Sequence, residues 1–353
     1  MTDNVQTYTI DLIPGDGIGI EVIPPAVAAV NALGDAHGFR VNWRERPWGS
    51  AFYRAHHMMM PADGLDQMAD GDGILLGAVG DPDIADTVTL WGLLIPIRRR
   101  FQQYVNLRPS RTLPGVRSPI GDTAFDMMIV RENVEGEYSE IGGRFNQGTR
   151  EEAAVQESVF TRRGVSRVAR FAARLAADRS GTIVSATKSN GILHTMPFWD
   201  EIVDEVGAEE GVAVDKVLID ALAARFVLRP QSLDVVVASN LFGDILSDLA
   251  AALAGSLGIA PSANLNPERE HPSLFEPVHG SAPDIAGQGV ANPVAAMWAA
   301  AMMLDHLGQA SAARELEAAV FAPLAQGIST RDLGGDCTTE DYSAHVLERL
   351  RRV

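Results

Sequence analysis

The chain opens on an alternation of apolar and polar positions. In TYTIDLI (Thr7–Ile13), Tyr8, Ile10 and Leu12 share one face, which predicts a strand. PGDGIG (Pro14–Gly19) breaks it, and the run EVIPPAVAAVNALG after it has helical spacing. Gly71 to Gly80 contains GILLGAVG, a continuous apolar run bounded by glycines, which reads as a buried strand. A second strand region spans Ala124 to Tyr138, and Thr182–Ala186 and Val235–Ala238 read as further buried strands. Val165 to Ala177 carries apolar residues at helical intervals with arginines between them, an amphipathic helix. Pro261 to His279 is rich in Pro, Asn and Glu without periodicity and reads as a long functional loop. From Asn292 onward the pattern is mostly helical. Strand, glycine turn and helix recur, which predicts an α/β architecture. No linker divides the chain, so two lobes crossed more than once by the backbone are expected.

Composition narrows the classes. A chain of 353 residues, 46% hydrophobic and 21% charged, can bury substantial cores. Aspartate and glutamate outnumber lysine and arginine by 46 to 29, a net charge of −17, which argues against nucleic acid as a partner. The longest apolar candidate, Val294 to Leu304, is too short for a membrane span and reads as a buried helix. MTDNVQTYTI shows neither a basic nor an apolar leader region, and Cys337 is the single cysteine. A reducing cytoplasm is the expected compartment.

Against this acidic background, LWGLLIPIRRRFQQYVNLRPSR (Leu90–Arg111) gathers Arg98, Arg99, Arg100, Arg108 and Arg111. It reads either as a solvated basic helix face or as a grip for a small carboxylate, which guanidinium groups bind in pairs. Arg131 could add a further guanidinium. Asp244 and Asp248, in SNLFGDILSD, stand four apart at the start of a probable helix and so share a face. They either hold a cation or complement the helix dipole. Asp220 follows an apolar run, where a lone carboxylate needs a partner, and is a candidate third ligand for Mg²⁺ or Mn²⁺. Lys188 ends a buried strand and Tyr138 sits in RENVEGEY. Each is a proton-transfer candidate or simply a structural anchor. GDGIG lacks the third glycine of the dinucleotide fingerprint and reads as a tight strand-to-helix turn. EPVHGSAPDIAGQGVANP (Glu276–Pro293) has the glycines, histidine and carboxylate with which a loop can wrap a nucleotide.

Taken in order, the arginine pair Arg98 and Arg108, NLRP, TKSN, SNLFGDILSD and EPVHGSAPDIAGQGVANP resemble the β-decarboxylating dehydrogenases nearly end to end. That resemblance implies an α/β, isopropylmalate-dehydrogenase-like two-lobe fold with a shared open sheet, not a Rossmann fold. Residues 1–103 and 255–353 would form the large cofactor lobe. Residues 104–254 would form the small lobe carrying the dimer contacts. The resemblance further implies that Arg98, Arg108 and Arg131 grip the carboxylates of a dicarboxylate substrate. Asp220, Asp244 and Asp248 would hold Mg²⁺ or Mn²⁺, and Tyr138 and Lys188 would form the acid–base pair. Lys188 and Asp220 would come from the second subunit of a homodimer. His279, Gly280, Ala282, Asp284, Ile285 and Asn292 would contact the adenosine half of the cofactor, Asn190 would lie near the nicotinamide, and Glu276 and Ser281 would also bind the cofactor. Asp284 followed by Ile285 predicts NAD, since a carboxylate accepts from two ribose hydroxyls and repels a 2′-phosphate. A monovalent cation such as K⁺ is a further expected cofactor.

Within the family, TLWG…YVNLRP, RENVEGEY and IAPSANLNPERE are most similar to the tartrate and D-malate dehydrogenase branch. Gly92 and Leu94 stand where isocitrate enzymes carry a serine and an asparagine. Trp91 and Leu94 are the expected substrate-side residues. Leu93, Pro96 and His194 depart from the branch pattern. The expected reaction is NAD-dependent oxidative decarboxylation of D-malate or a tartrate. A 3-isopropylmalate or related alkylmalate dehydrogenase is the alternative, and a non-catalytic regulatory subunit is a remote one.

Overall fold

The computed structural model describes residues 5–351; the first four residues of the segment read for a leader lie outside the described residues. The chain forms two compact units. One comprises Met1–Gln103, Thr112–Asp122 and Ala251–Val353, the other Tyr104–Arg111 and Thr123–Ala250. The expected 104–254 lobe thus lacks Thr112–Asp122 and Ala251–Ala254, which belong to the first unit. There Ser118 Oγ donates to the Leu253 carbonyl at 2.7 Å. A side chain at Gly115 would collide with the Leu324 carbonyl, and only glycine permits that approach.

In the first unit five strands run in the order Phe39–Glu45, Gln6–Gly15, Gly73–Ala78, Ser273–Pro277 and Pro261–Leu265. The first four are parallel and the last is antiparallel to its neighbour. Gly73–Ala78 is buried along its whole length, as a strand covered on both faces must be. The helix Val294–His306 is apolar all round because it is enclosed; ten of its residues from Val294 to Leu304 are buried. Among the described residues no helix is long and apolar enough to cross a membrane.

The Pro261–His279 expectation fails. This stretch is an antiparallel strand pair, Pro261 facing Pro277 and Asn264 facing Leu274. Its polar residues hid it: Ser262, Asn264 and Ser273 are fully buried, so no apolar alternation marks the strands. Hydrogen bonds offset their burial. Asn264 Nδ2 donates to Glu276 Oε1 at 2.7 Å, and Asn266 Oδ1 accepts from the Glu270 and His271 amides to close the turn.

In the second unit the order is Val105–Arg111, Asp126–Glu132, Val235–Ala238, Thr182–Thr187 and Ala213–Leu218. The first pair is antiparallel and the rest parallel. The helix Arg162–Ala177 buries Val165, Val168, Ala169, Ala172 and Ala176 on one stripe, and Thr161 caps its N-terminus by accepting from Gly164 N. On its outer face Arg162, Arg170 and Arg174 pair with Glu201, Glu205, Glu209 and Glu210 of the helix Thr195–Glu210.

Candidate active site

The arginine-rich stretch is neither one helix face nor one loop. Asp86–Arg100 is helical and contains a π turn at Leu90–Leu94, while Val105–Arg111 is a strand. A π turn is uncommon and often marks a functional segment. Arg98 lies in the last turn of the helix and is buried, its Nη2 3.1 Å from Glu276 Oε1. Arg99 stacks over the Trp91 ring at 5.0 Å, and Arg100 is exposed beside Asp66. Of the expected substrate-side residues, Trp91 is half-buried. Leu94 is buried in the core cluster that includes Ile13, Trp48, Met59, Leu93 and Ile97. Leu93 is fully enclosed, so its departure from the branch pattern is a packing feature.

The second unit builds its centre on Asp244. The strand Asp126–Glu132 delivers Arg131. The neighbouring Val105–Arg111 delivers Arg108 opposite Ile129, which puts both guanidiniums on one face. Over them lies the helix Asn240–Ala254. It can approach because residue 243 is glycine: a Cβ there would sit 2.6 Å from the Arg131 side chain. Asn240, Asp244, Ser247 and Asp248 then form a polar stripe at helical spacing. Arg131 donates from Nη2 to Asn240 Oδ1 at 2.7 Å and pairs closely with Asp244 through Nη1. Arg108 Nη1 lies 2.6 Å from Ser247 Oγ, 3.3 Å from Asp244 and 3.4 Å from Asp248. Tyr138 Oη donates to Asp244 Oδ2 at 3.1 Å. Burial raises the Asp248 pKa, opposed by Arg108 and assisted by the Asp244 charge.

Lys188 and Asp220 form a separate pair. Lys188 follows the strand Thr182–Thr187 and its Nζ donates to Asp220 Oδ1 at 2.6 Å. Asp220 lies in the first turn of the helix Ile219–Leu228 and is exposed, with Lys188 as the partner that a carboxylate after an apolar run needs. The Lys188 hydrogen bond lowers its pKa. Among the described residues no three His, Cys, Asp or Glu side chains gather into a metal-binding group, so Asp220 does not join Asp244 and Asp248 within one chain. Asn190 lies exposed in the turn after Lys188.

Apart from Asn190, the expected cofactor residues lie in the first unit. His279 Nδ1 bonds the Gly280 carbonyl at 3.0 Å, which places the proton on that nitrogen. Its Nε2 is buried without a hydrogen-bond partner among the described residues, and burial lowers the imidazole pKa. Ser281 is buried, Ala282 adopts a positive φ of 41°, and Ile285 N returns to Ala282 O. Asp284 is exposed. Asn292 is committed locally, bonding Asp332 and the Val294 amide. Glu276 is committed to Arg98 and Asn264. Sequence reading missed Asn240 and Ser247, although their spacing from Asp244 on an otherwise apolar helix was a visible signal.

The family model for isocitrate/isopropylmalate dehydrogenase matches residues 9–346. The chain is 52% identical to the D-malate dehydrogenase [decarboxylating] of Escherichia coli (strain K12), over 99% of this chain and 100% of that protein. It is 47% identical to the tartrate dehydrogenase/decarboxylase of Pseudomonas putida, over 99% of both. The crystal structure of isocitrate dehydrogenase from Methylococcus capsulatus superposes with a TM-score of 0.89 at 34% identity, covering 98% of this chain and 99% of that one.

Proposed function

Because the chain belongs to the isocitrate/isopropylmalate dehydrogenase family and is a decarboxylating oxidoreductase, we propose that it oxidises D-malate or a tartrate with NAD. Asp244 carries this reading. One carboxylate contacts Arg108, Arg131 and Tyr138, so anion-binding, cation-binding and proton-donating groups converge on it. Arg98, Arg108 and Arg131 bind the substrate carboxylates by charge-assisted hydrogen bonds. Asp244 and Asp248 suit a hard divalent cation, since two carboxylates on one helix face, one with a raised pKa, repel until a cation lies between them. Mg²⁺ or Mn²⁺ held there would polarise the substrate 2-hydroxyl. Lys188 takes the hydroxyl proton once its ion pair with Asp220 is given up, and Tyr138 protonates the carbon left by departing CO₂.

Asp220 completes the cation site from a second copy of the chain, and Lys188 comes with it. Two observations support this. The pair stands apart from Asp244 within one chain. The second unit also exposes Leu193, Leu228 and Ile245, together with a two-stranded arm, Gly142–Phe145 and Ala153–Gln156, whose eight residues are all exposed. Such an isolated strand pair is marginal unless covered. NAD fits the loop after Glu276: the unpartnered Nε2 of neutral His279 is an acceptor for an adenine amino group, and exposed Asp284 suits free ribose hydroxyls. A K⁺ requirement and a cytoplasmic location belong to the same reading.

The test compares kcat/KM on D-malate, the tartrates and 3-isopropylmalate with NAD and Mn²⁺. Highest turnover on 3-isopropylmalate replaces the substrate assignment. Preference for NADP removes the Asp284 assignment, and no turnover on any substrate despite NAD binding points to a regulatory subunit.

A further inference from the structure

The glycine turn that resembles a nucleotide motif holds another loop. Gly15 and Gly17 have φ of 72° and 54°, and Ile18 N donates to the Ser281 carbonyl at 2.9 Å. A Cβ on Gly17 would lie 2.0 Å from that same carbonyl oxygen, so the turn and the Ser281 segment fit only as backbone against backbone. Four residues beyond Gly17, in the first turn of the helix Gly19–His37, stands Glu21. Its carboxylate reaches into the loop AGQGVAN: Oε1 accepts from Gly287 N in a short bond, and Oε2 accepts from Gly289 N at 3.0 Å. Both glycines are left-handed, with φ of 77° and 66°. Backbone turned this way presents its amides as an anion-binding concavity, and here the chain fills it with its own carboxylate.

We propose that Glu21 is a positioning residue for cofactor binding: it sets the shape of the Ser281–Gly289 loop from below and touches no part of the cofactor itself. The inference rests on the reading of that loop as the adenosine site. Nothing else described among the side chains ties the Gly287 and Gly289 amides down. The loop's cofactor-facing residues, Ala282, Asp284 and Ile285, lie on the same short span, and Ala282 is held at a φ that a non-glycine residue adopts only under constraint. Removing the carboxylate releases both amides and leaves Gly289 held only through its carbonyl, which accepts from Thr339 N at 2.8 Å, so NAD must order more of the loop on binding.

The experiment measures NAD dissociation constants by calorimetry for the intact enzyme, Glu21→Gln and Glu21→Ala, alongside KM for NAD, KM for the hydroxy acid and kcat. Amide hydrogen exchange at Gly287 and Gly289 reports the bonds directly. The expected result is NAD binding weakened about fivefold or more in Glu21→Ala and less in Glu21→Gln, which keeps one acceptor. Both amides exchange faster, and KM for the hydroxy acid is unchanged. An unchanged NAD constant overturns the proposal, whether or not exchange accelerates, and so does an equal rise in KM for both substrates. If the intact enzyme itself binds neither NAD nor NADP, the cofactor reading of the loop fails, and this proposal fails with it.

Discussion

Glu132 offers a test of how this chain tolerates a buried acid. The side chain is fully buried at the end of the strand Asp126–Glu132. Oε2 accepts from the Val134 and Glu135 amides at 3.0 and 2.8 Å, while Oε1 has no hydrogen-bond partner. Burial outweighs these bonds and the neighbouring Arg167, and pushes the pKa from 4.5 up to about 8. The native state therefore holds a proton that the unfolded chain releases, and stability falls as pH rises from 4.5 towards 8. At pH 7 the difference spans about 2.5 units, or roughly 3 kcal/mol as an upper bound at 1.36 kcal/mol per unit. Glu132→Gln keeps an oxygen for the two amides and cannot ionise. Urea unfolding followed by tryptophan fluorescence suits the measurement, because Trp199 is fully buried in the same unit. Wild type should lose stability relative to the glutamine variant by about 1 kcal/mol per pH unit between pH 5.5 and 7.5. Other titrating groups cancel in that difference. Parallel curves for the two proteins would show that Glu132 is ionised in the native state and refute the reasoning.

Three further outcomes are expected. His306, packed against Phe275 and bonded to Ser273 Oγ, has a pKa lowered by burial to about 4, so its contribution is present above pH 6.5 and lost as pH falls through 4; His306→Gln should flatten the acid limb of stability. Asp16 accepts from Ser50 N, Ser50 Oγ and Gly80 N, so Asp16→Ala strands two amides and should cost roughly 3–5 kcal/mol by urea denaturation, against about 1–3 for Asp16→Asn. Gly243→Ala forces a methyl to within 2.6 Å of Arg131 and should raise KM for the hydroxy acid while leaving NAD binding intact, as calorimetry can check.

The parts of the fold written in apolar period were legible. The Gly73–Ala78 strand and the enclosed Val294–His306 helix show as continuous apolar runs, and the Val165-to-Ala176 stripe shows at helical intervals. The Asp244 and Asp248 pairing was legible for the same reason, since four residues apart on a helix is a spatial statement. What stayed hidden depends on partners distant in sequence. Asn264 looks like a loop residue until Leu274 and Glu276 stand opposite it. Leu94 shares a core cluster with Met59 and Trp48, a grouping its neighbours in sequence do not reveal. Asp220 needs a partner after its apolar run, but only the folded chain shows that partner to be Lys188, 32 residues earlier. GDGIG is informative for a reason its glycines alone do not reveal: they make room for the backbone of residue 281.

The arginine–glutamate ladder between Arg162–Ala177 and Thr195–Glu210 bears on heat. Its members are largely exposed, so at 25 °C and ordinary ionic strength each pair contributes little. The cost of stripping water from charges falls as temperature rises, and a shared network loses less side-chain freedom than separate pairs. The ladder therefore matters most near melting, where added salt would erode it. These two helices would hold the second unit together best in warm, dilute solution, the regime in which an acidic chain most needs its few cations well placed.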